Sequence, residues 1–180
     1  PFGSVVCRHG AVVSEHYGGG ASADSVWEIG SLRKSVGAAL LGIQVGARRV
    51  RLDQPASDIL PELLTSDEDR RIEVAQLFTS TSGWKTAAAA GVEWKYNNAA
   101  FTLGGMVVGR LLGTAGDEIA QPAQQMLADA LGCSSWRAYH FPGAFSESHG
   151  NPGPKLAIDS NLRDLCTYGQ LWLQRGQWRE

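Results

Sequence analysis

The sequence predicts an α/β (α+β) chain in which an N-terminal β-hairpin precedes a mostly helical region. Two β-branched runs, residues 4–7 and 11–14, flank an Arg-His-Gly turn, which is typical of a hairpin. From Ser31 onward the composition changes to Ala, Leu and Gly, with apolar residues at helical spacing. We therefore expect one domain over residues 1–180, with the hairpin and its loop in 1–30 and a helical region in 31–180.

The apolar spacing and the capping residues predict five helices. These cover residues 31–45, 66–80, 98–112, 117–131 and 160–173. The first is apolar on nearly every side, as buried helices are. Asn98 and Ser160 are the expected N-caps, and Pro122 should bend the fourth helix. We expect a loop over 140–154, no third strand, and the helix that begins at Ser31 as the cover of the hairpin.

Composition excludes several classes of function. A net charge of −2 provides no field that would attract nucleic acid. Three scattered cysteines argue against a disulfide framework, and four dispersed histidines argue against a metal site. The sequence contains no nucleotide-binding motif, so we expect no cofactor. No apolar run reaches the length of a membrane span. Because the chain opens Pro-Phe-Gly, we expect a processed or trimmed product.

Ser31 and Lys34 form the first candidate for catalysis. Their three-residue spacing places a hydroxyl and an amine on one face of a helix start, where the helix dipole favours developing negative charge. A nucleophilic serine needs a proton acceptor. Lys34 could accept the proton if burial keeps it neutral; if it stays charged, it could instead lower the pKa of a nearby tyrosine that acts as the base. The sequence leaves both options open.

Tyr96 and Asn98 form the second candidate, at the entrance to another buried helix. An ionised Tyr96 would be a proton acceptor, and the Asn98 amide could position a substrate carbonyl or hold Lys34. Structural roles are the alternative, with Asn98 as an N-cap and Tyr96 packed on the core. Taken alone, this pair favours the structural roles.

Five segments together resemble the serine hydrolases related to β-lactamases and penicillin-binding proteins. The segment from Ile29 to Ser35 looks like the family's nucleophile motif, and Trp94 to Asn98 is similar to its tyrosine motif. The other matches, in family order along the chain, are Leu52–Leu63, Leu77–Gly83 and Leu162–Trp178. The resemblance implies that Ser31, Lys34 and Tyr96 are catalytic and that Asn98 binds substrate.

The chain also departs from the family pattern. A serine, Ser80, stands where the family has histidine, and the segment 84–91 is short. We find no third active-site triplet after Tyr96, since His149-Gly150-Asn151 has the wrong pattern. We therefore expect the C-terminal strands of the fold to be absent from this sequence. In the family, the third strand carries this triplet and supplies one of the backbone N–H donors that stabilise the oxyanion. Loss of such a donor typically lowers the rate by roughly 10²–10³.

Two functions follow from these observations. The first is a serine hydrolase that forms an acyl-serine on an ester, amide or lactam; the second is a catalytically silent fragment or binding domain. Substrate identity and compartment stay open, although the resemblance is compatible with a soluble protein that bacteria export. The unpaired edge of the hairpin would allow two copies of the chain to associate.

Overall fold

Two separate antiparallel sheets accompany a helical core in the computed structural model, which describes residues 1–141 and 152–178. The strands are β1 (Phe2–Arg8), β2 (Ala11–Gly18), β3 (Trp27–Glu28), β4 (Arg137–His140) and β5 (Leu156–Ser160). The helices are α1 (Arg33–Gly46), α2 (Val74–Thr79), α3 (Asn98–Leu112), α4 (Ala120–Ala123) and α5 (Leu162–Leu173). The mixture of strands and helices agrees with the predicted fold class.

The predicted hairpin is present as β1 and β2, but a different helix covers it. The strands pair from Phe2 opposite Gly18 to Arg8 opposite Ala11, with an irregularity between Val6 and Cys7. We expected the helix that begins at Ser31 to cover this sheet, and that prediction is wrong. Helix α5, from the far end of the chain, packs on β1 instead. Sequence periodicity cannot distinguish two apolar helices that compete for one sheet face.

A second sheet, with the strand order β3–β5–β4, corrects the expectation of no further strand. Its central strand β5 carries Ala157 and Ile158, both fully buried. His140 ends β4 and does not begin a loop, while residues 142–151 of the expected loop lie outside the described residues. The sheet escaped the sequence pattern because β3 has only two residues and β5 directly follows a Pro/Gly-rich stretch.

Several predicted helix boundaries shift. The segment from Gly30 to Leu32 is a 3₁₀ turn, so α1 begins at Arg33. Helix α2 starts at Val74, eight residues after the predicted start, because its cap is Glu73, whose backbone and side chain form a capping box with Gln76. The predicted helix over 117–131 is a four-residue α4 that continues as a π-helical turn, Gln124–Asp129.

The two predicted N-caps, Asn98 and Ser160, each lie one residue away from the observed N-cap. The Asn97 side chain accepts the Ala100 backbone N–H and caps α3, so Asn98 is the first residue inside the helix. Asn161 caps α5 in the same way, by accepting from the Asp164 N–H, and Ser160 is the last residue of β5. Consecutive Asn-Asn and Ser-Asn pairs offer two suitable caps each, and sequence alone does not choose between them.

Helix α1 lies at the centre of the core. Val36 and Leu40 are fully buried and Gln44 nearly so, and the helix packs against α3, α4 and β5. Helix α3 contributes Leu103, and α2 contributes Leu77 to the same cluster. Burial of these apolar side chains is the main term that stabilises the arrangement.

A network of hydrogen bonds joins the start of α5 to the turn before β4. Asp164 Oδ2 accepts hydrogen bonds from the Ser135 backbone N–H at 2.7 Å and from Ser135 Oγ at 2.6 Å. Ser135 Oγ in turn accepts from the Asn161 N–H at 2.9 Å. The network fixes α5 against the second sheet while the opposite side of α5 packs on the hairpin.

We expect the hairpin to mediate self-association, because within the described residues β1 and β2 pair only with each other. Unpaired strand edges are templates for another chain. Val13 is 58% exposed on β2, and Val13→Lys should weaken association by placing a charge on the strand. Sedimentation velocity over a concentration series measures this. Val92→Lys, at a residue that is 78% exposed outside the strands, is the control and should associate like the parent. A parent chain that stays monomeric would contradict the prediction.

Candidate active site

The turn that carries Ser31 is fixed on both sides. The Ile29 N–H donates to the Ile158 carbonyl at 2.9 Å, which ties the segment after β3 to β5. Gly30 adopts a φ of 57°, a left-handed conformation that costs other residues energy. Its carbonyl accepts a 2.6 Å hydrogen bond from Arg33, whose guanidinium also lies 3.8 Å from Glu28. Ser31 is therefore exposed at a rigid entry to a buried helix.

Tyr96 is held by a different part of the chain. The Lys95 backbone N–H donates to the Ser80 carbonyl at 2.7 Å, and Asn97 Nδ2 donates to the Trp84 carbonyl at 2.8 Å. Asn97 also caps α3. These bonds on either side of Tyr96 fix the short segment that leads into α3.

The three predicted catalytic side chains meet at one point. The Tyr96 hydroxyl lies 2.7 Å from Ser31 Oγ, and Lys34 Nζ donates to the same oxygen at 2.9 Å. Lys34 Nζ also lies 4.8 Å from the centre of the Tyr96 ring and 5.4 Å from that of Phe101. Nothing local forces this meeting, since Ser31 and Tyr96 are 65 residues apart.

The surroundings lower the pKa of both Lys34 and Tyr96. Partial burial lowers the pKa of Lys34, and the nearby Arg33 charge adds to this, although the hydrogen bond to Tyr96 opposes it. For Tyr96, burial raises the pKa, but the hydrogen bonds with Lys34 and Ser31 and the positive charge of Lys34 outweigh it. The net pKa of Tyr96 is lower than its ordinary value, which favours the phenolate.

Asn98 lines the cleft beside Lys34 and does not touch the Ser31 hydroxyl. Within the described part of the chain we observe no hydrogen bond from its side chain, although its backbone carbonyl accepts from Thr102 at 3.2 Å. The cleft has a volume of about 40 Å³ and is also lined by Phe101 and Lys155. It has room for water or a small polar group. A substrate-binding role for Asn98 therefore stays a prediction.

The structure adds residues that the sequence analysis did not select. Arg33, 8% exposed, stacks its guanidinium 5.7 Å from the centre of the Phe141 ring, and Lys155 Nζ lies 4.7 Å from the same centre. Burial and the charges of Arg33 and Lys34 lower the pKa of Lys155. Lys155 is far from both motifs in sequence, and it reaches the site because β5, which begins at the next residue, pairs with both β3 and β4.

The arrangement has the components of proton transfer and nucleophilic attack. An exposed hydroxyl contacts a phenol and an amine whose pKa values are both lowered. Among the described residues, no group of three or more His, Cys, Asp or Glu side chains could hold a metal ion. None of the described helices combines the length and hydropathy needed to cross a bilayer.

Sequence comparison identifies the family. A family model described as Beta-lactamase matches residues 4–176, so the chain belongs to the beta-lactamase family. This confirms the resemblance that the motifs indicated. No curated protein matches the chain.

Solved structures share the fold at low sequence identity. A beta-lactamase/D-alanine carboxypeptidase from Pseudomonas syringae is 20% identical, with a TM-score of 0.78 over 99% of this chain and 61% of that one. A D-stereospecific amidohydrolase from a Streptomyces species is 18% identical, with a TM-score of 0.73 over 89% of this chain and 64% of its own. An octameric penicillin-binding protein homologue from Pyrococcus abyssi is 17% identical, with a TM-score of 0.76 over 97% and 52%. This chain thus spans roughly half to two thirds of the length of each.

We expect Lys34→Met to raise the pKa of Tyr96, because it removes a hydrogen bond and a positive charge from the phenol. Ultraviolet titration of the parent should show one tyrosine ionising below the ordinary value of 10.0. Burial raises the pKa of Tyr139 and Tyr168, so these two ionise later. Loss of the early transition in Tyr96→Phe assigns it.

Lys95→Met is the control for this titration, since it removes the same charge from the residue next to Tyr96. Lys34, not Lys95, makes the hydrogen bond to the phenol, so the early transition should survive in Lys95→Met. An equal shift in both variants would show that the effect comes from overall charge and not from the contact.

Proposed function

We propose that the chain is a serine hydrolase that forms an acyl-serine at Ser31 on an ester, amide or lactam. The observation that carries this proposal is the double contact of Ser31 Oγ with Tyr96 and Lys34. A structural serine at an exposed helix entry has no need of two such partners. Membership of the beta-lactamase family supports the same chemistry.

The hydrogen bonds favour Tyr96 as the base. A protonated Lys34 has only donors, so the bond from its ammonium to Ser31 Oγ leaves the serine proton directed at the Tyr96 oxygen. The positive charge of Lys34 then stabilises the phenolate of Tyr96. A neutral Lys34 as the base is the alternative, and the lowered pKa of Lys34 keeps it open.

The reaction follows from these positions. Ser31 Oγ bonds to the carbonyl carbon of the substrate while its proton passes to the Tyr96 oxygen, and the carbonyl electrons move to the oxygen. Collapse of this intermediate breaks the bond to the leaving group, which takes the proton from Tyr96. Water then attacks the acyl carbon while Tyr96 accepts its proton. Collapse of this second intermediate breaks the bond to Ser31 Oγ, which takes the proton back from Tyr96 as the acid leaves. The positive end of α1 stabilises the negative oxygen.

The catalytically silent domain is the second candidate. The chain spans 52–64% of the length of the three relatives described, and this partial coverage is the observation that favours the second candidate. A silent domain keeps the Ser31 contacts but fails to stabilise the oxyanion, so it would react slowly or not at all with an acylating probe.

We expect a fluorophosphonate probe to add once, at Ser31, and Ser31→Ala to lose both labelling and hydrolysis of an activated ester by about 10³-fold or more. Intact-mass and peptide analysis measure the labelling. Ser35→Ala is the matched control, one turn further along α1, where Ser35 Oγ donates to the Leu32 carbonyl at 2.7 Å. It should label and hydrolyse like the parent. Absence of labelling in a folded parent chain would favour the silent domain, and equal activity in Ser31→Ala would exclude this nucleophile.

The pH dependence of hydrolysis tests which group is the base. If Tyr96 accepts the proton, kcat/KM should rise as the phenol ionises, with a midpoint below 10.0, and should fall as Lys34 loses its proton. Tyr96→Phe should remove the rising limb and most of the rate. A rising limb that persists in Tyr96→Phe and disappears in Lys34→Met would instead assign the base to Lys34.

A further inference from the structure

The interface between β1 and α5 holds a pair of thiols that the proposed reaction does not use. Gly3, Val5 and Cys7 are the half-buried positions of β1, and they line a groove together with Leu162 and Cys166 of α5. The two cysteines are 159 positions apart in the chain, so only the packing of α5 on the hairpin brings them into one groove.

The contacts place the Cys166 thiol against the strand that carries Cys7. Cys166 Sγ donates to the Val5 carbonyl at 3.8 Å, two residues before Cys7 on the same strand. Both cysteines line the groove between β1 and α5, and both residues are partly accessible. Neither cysteine is joined to another residue in this structure.

We propose that Cys7 and Cys166 form a disulfide when the protein meets a low-molecular-weight disulfide oxidant such as glutathione disulfide. Cys7 sulfur bonds to one glutathione sulfur and displaces the other as a thiol, and Cys166 sulfur then bonds to Cys7 sulfur and displaces the second. The protein loses two protons and two electrons, equivalent to two hydrogen atoms, and they reduce one glutathione disulfide to two glutathione molecules.

Such a bond would tie the hairpin covalently to α5. The two elements are already joined by a bidentate pair in which Arg163 donates to both oxygens of Glu15, at 2.7 and 2.8 Å. Because a two-stranded sheet is marginal by itself, its attachment to α5 governs whether it stays folded. Oxidation would therefore stabilise the hairpin, and reduction would return it to dependence on the noncovalent contacts.

The third cysteine does not compete. Cys133 is buried, and its thiol donates to the Asp164 carbonyl at 3.7 Å on the opposite side of α5. Burial raises the pKa of Cys133 to about 12, which keeps it protonated and unreactive. Burial also raises the pKa of Cys166 to about 12, which disfavours Cys166 as the first thiol to attack the oxidant.

The test treats the folded 180-residue chain with glutathione disulfide, alkylates the remaining thiols and maps the peptides. We expect a mass lower by two hydrogens before alkylation and a linked pair of peptides that contain Cys7 and Cys166. The midpoint of thermal unfolding should rise by on the order of 10 °C and fall back on reduction. Cys133→Ala should give the same link.

The single variants Cys7→Ser and Cys166→Ser should each lose the link and the rise in melting midpoint. A parent that ends with separate glutathione adducts on Cys7 and Cys166, a link through Cys133, or a link between two chains would overturn the proposal. Labelling of Ser31 is a separate readout, so failure of this disulfide and failure of the hydrolase assignment are distinguishable.

Discussion

Helix α1 is enclosed by α3, α4 and β5, and its inward side chains, Val36, Leu40 and Gln44, have almost no contact with solvent. Rotation or translation of this helix would expose apolar groups and move the Gln44 amide out of its buried environment. The position of the helix is therefore fixed to high precision. Ser31 and Lys34 stand at the N-terminal end of this helix, where Ser31 reaches solvent. The precision of the core is thereby transferred to the reacting atoms, which is what a site of this kind requires.

The sequence predicted what depends on spacing and failed where tertiary competition decides. Ser31 and Lys34 lie on one helical face because of a three-residue interval, and α3 ends at Leu112, the predicted last residue. The prediction that α1 covers the hairpin was wrong because α1 and α5 both have an apolar face that could pack on this sheet. Strand β5 was missed because a buried run of five residues can equally be part of a helix. Its partner strands gave no further signal, since β3 has only two residues and lies far away in the sequence.

The residues around the site show a similar division. The contact between Tyr96 and Ser31 could be expected only from a resemblance, since no periodicity relates positions 65 residues apart. Arg33 was part of the recognised motif, yet its bond to the Gly30 carbonyl has a structural purpose that the motif does not reveal. Lys155 carried no signal, because its proximity to Arg33 depends on the register of β5 against β3.

The proposed nucleophile and its phenol partner belong to different parts of the fold. Lys34 lies in α1 and Ser31 in the turn that leads into it. Tyr96 lies in a largely exposed segment, held by the bond from the Lys95 backbone N–H to the Ser80 carbonyl and by the bond from the Asn97 side chain to the Trp84 carbonyl. Local opening of that segment requires far less free energy than unfolding of the core. Tyr96 can therefore leave while the helix and the serine stay in place. The protein thus has two thermal limits, a lower one for the intact proton relay and a higher one for the folded chain.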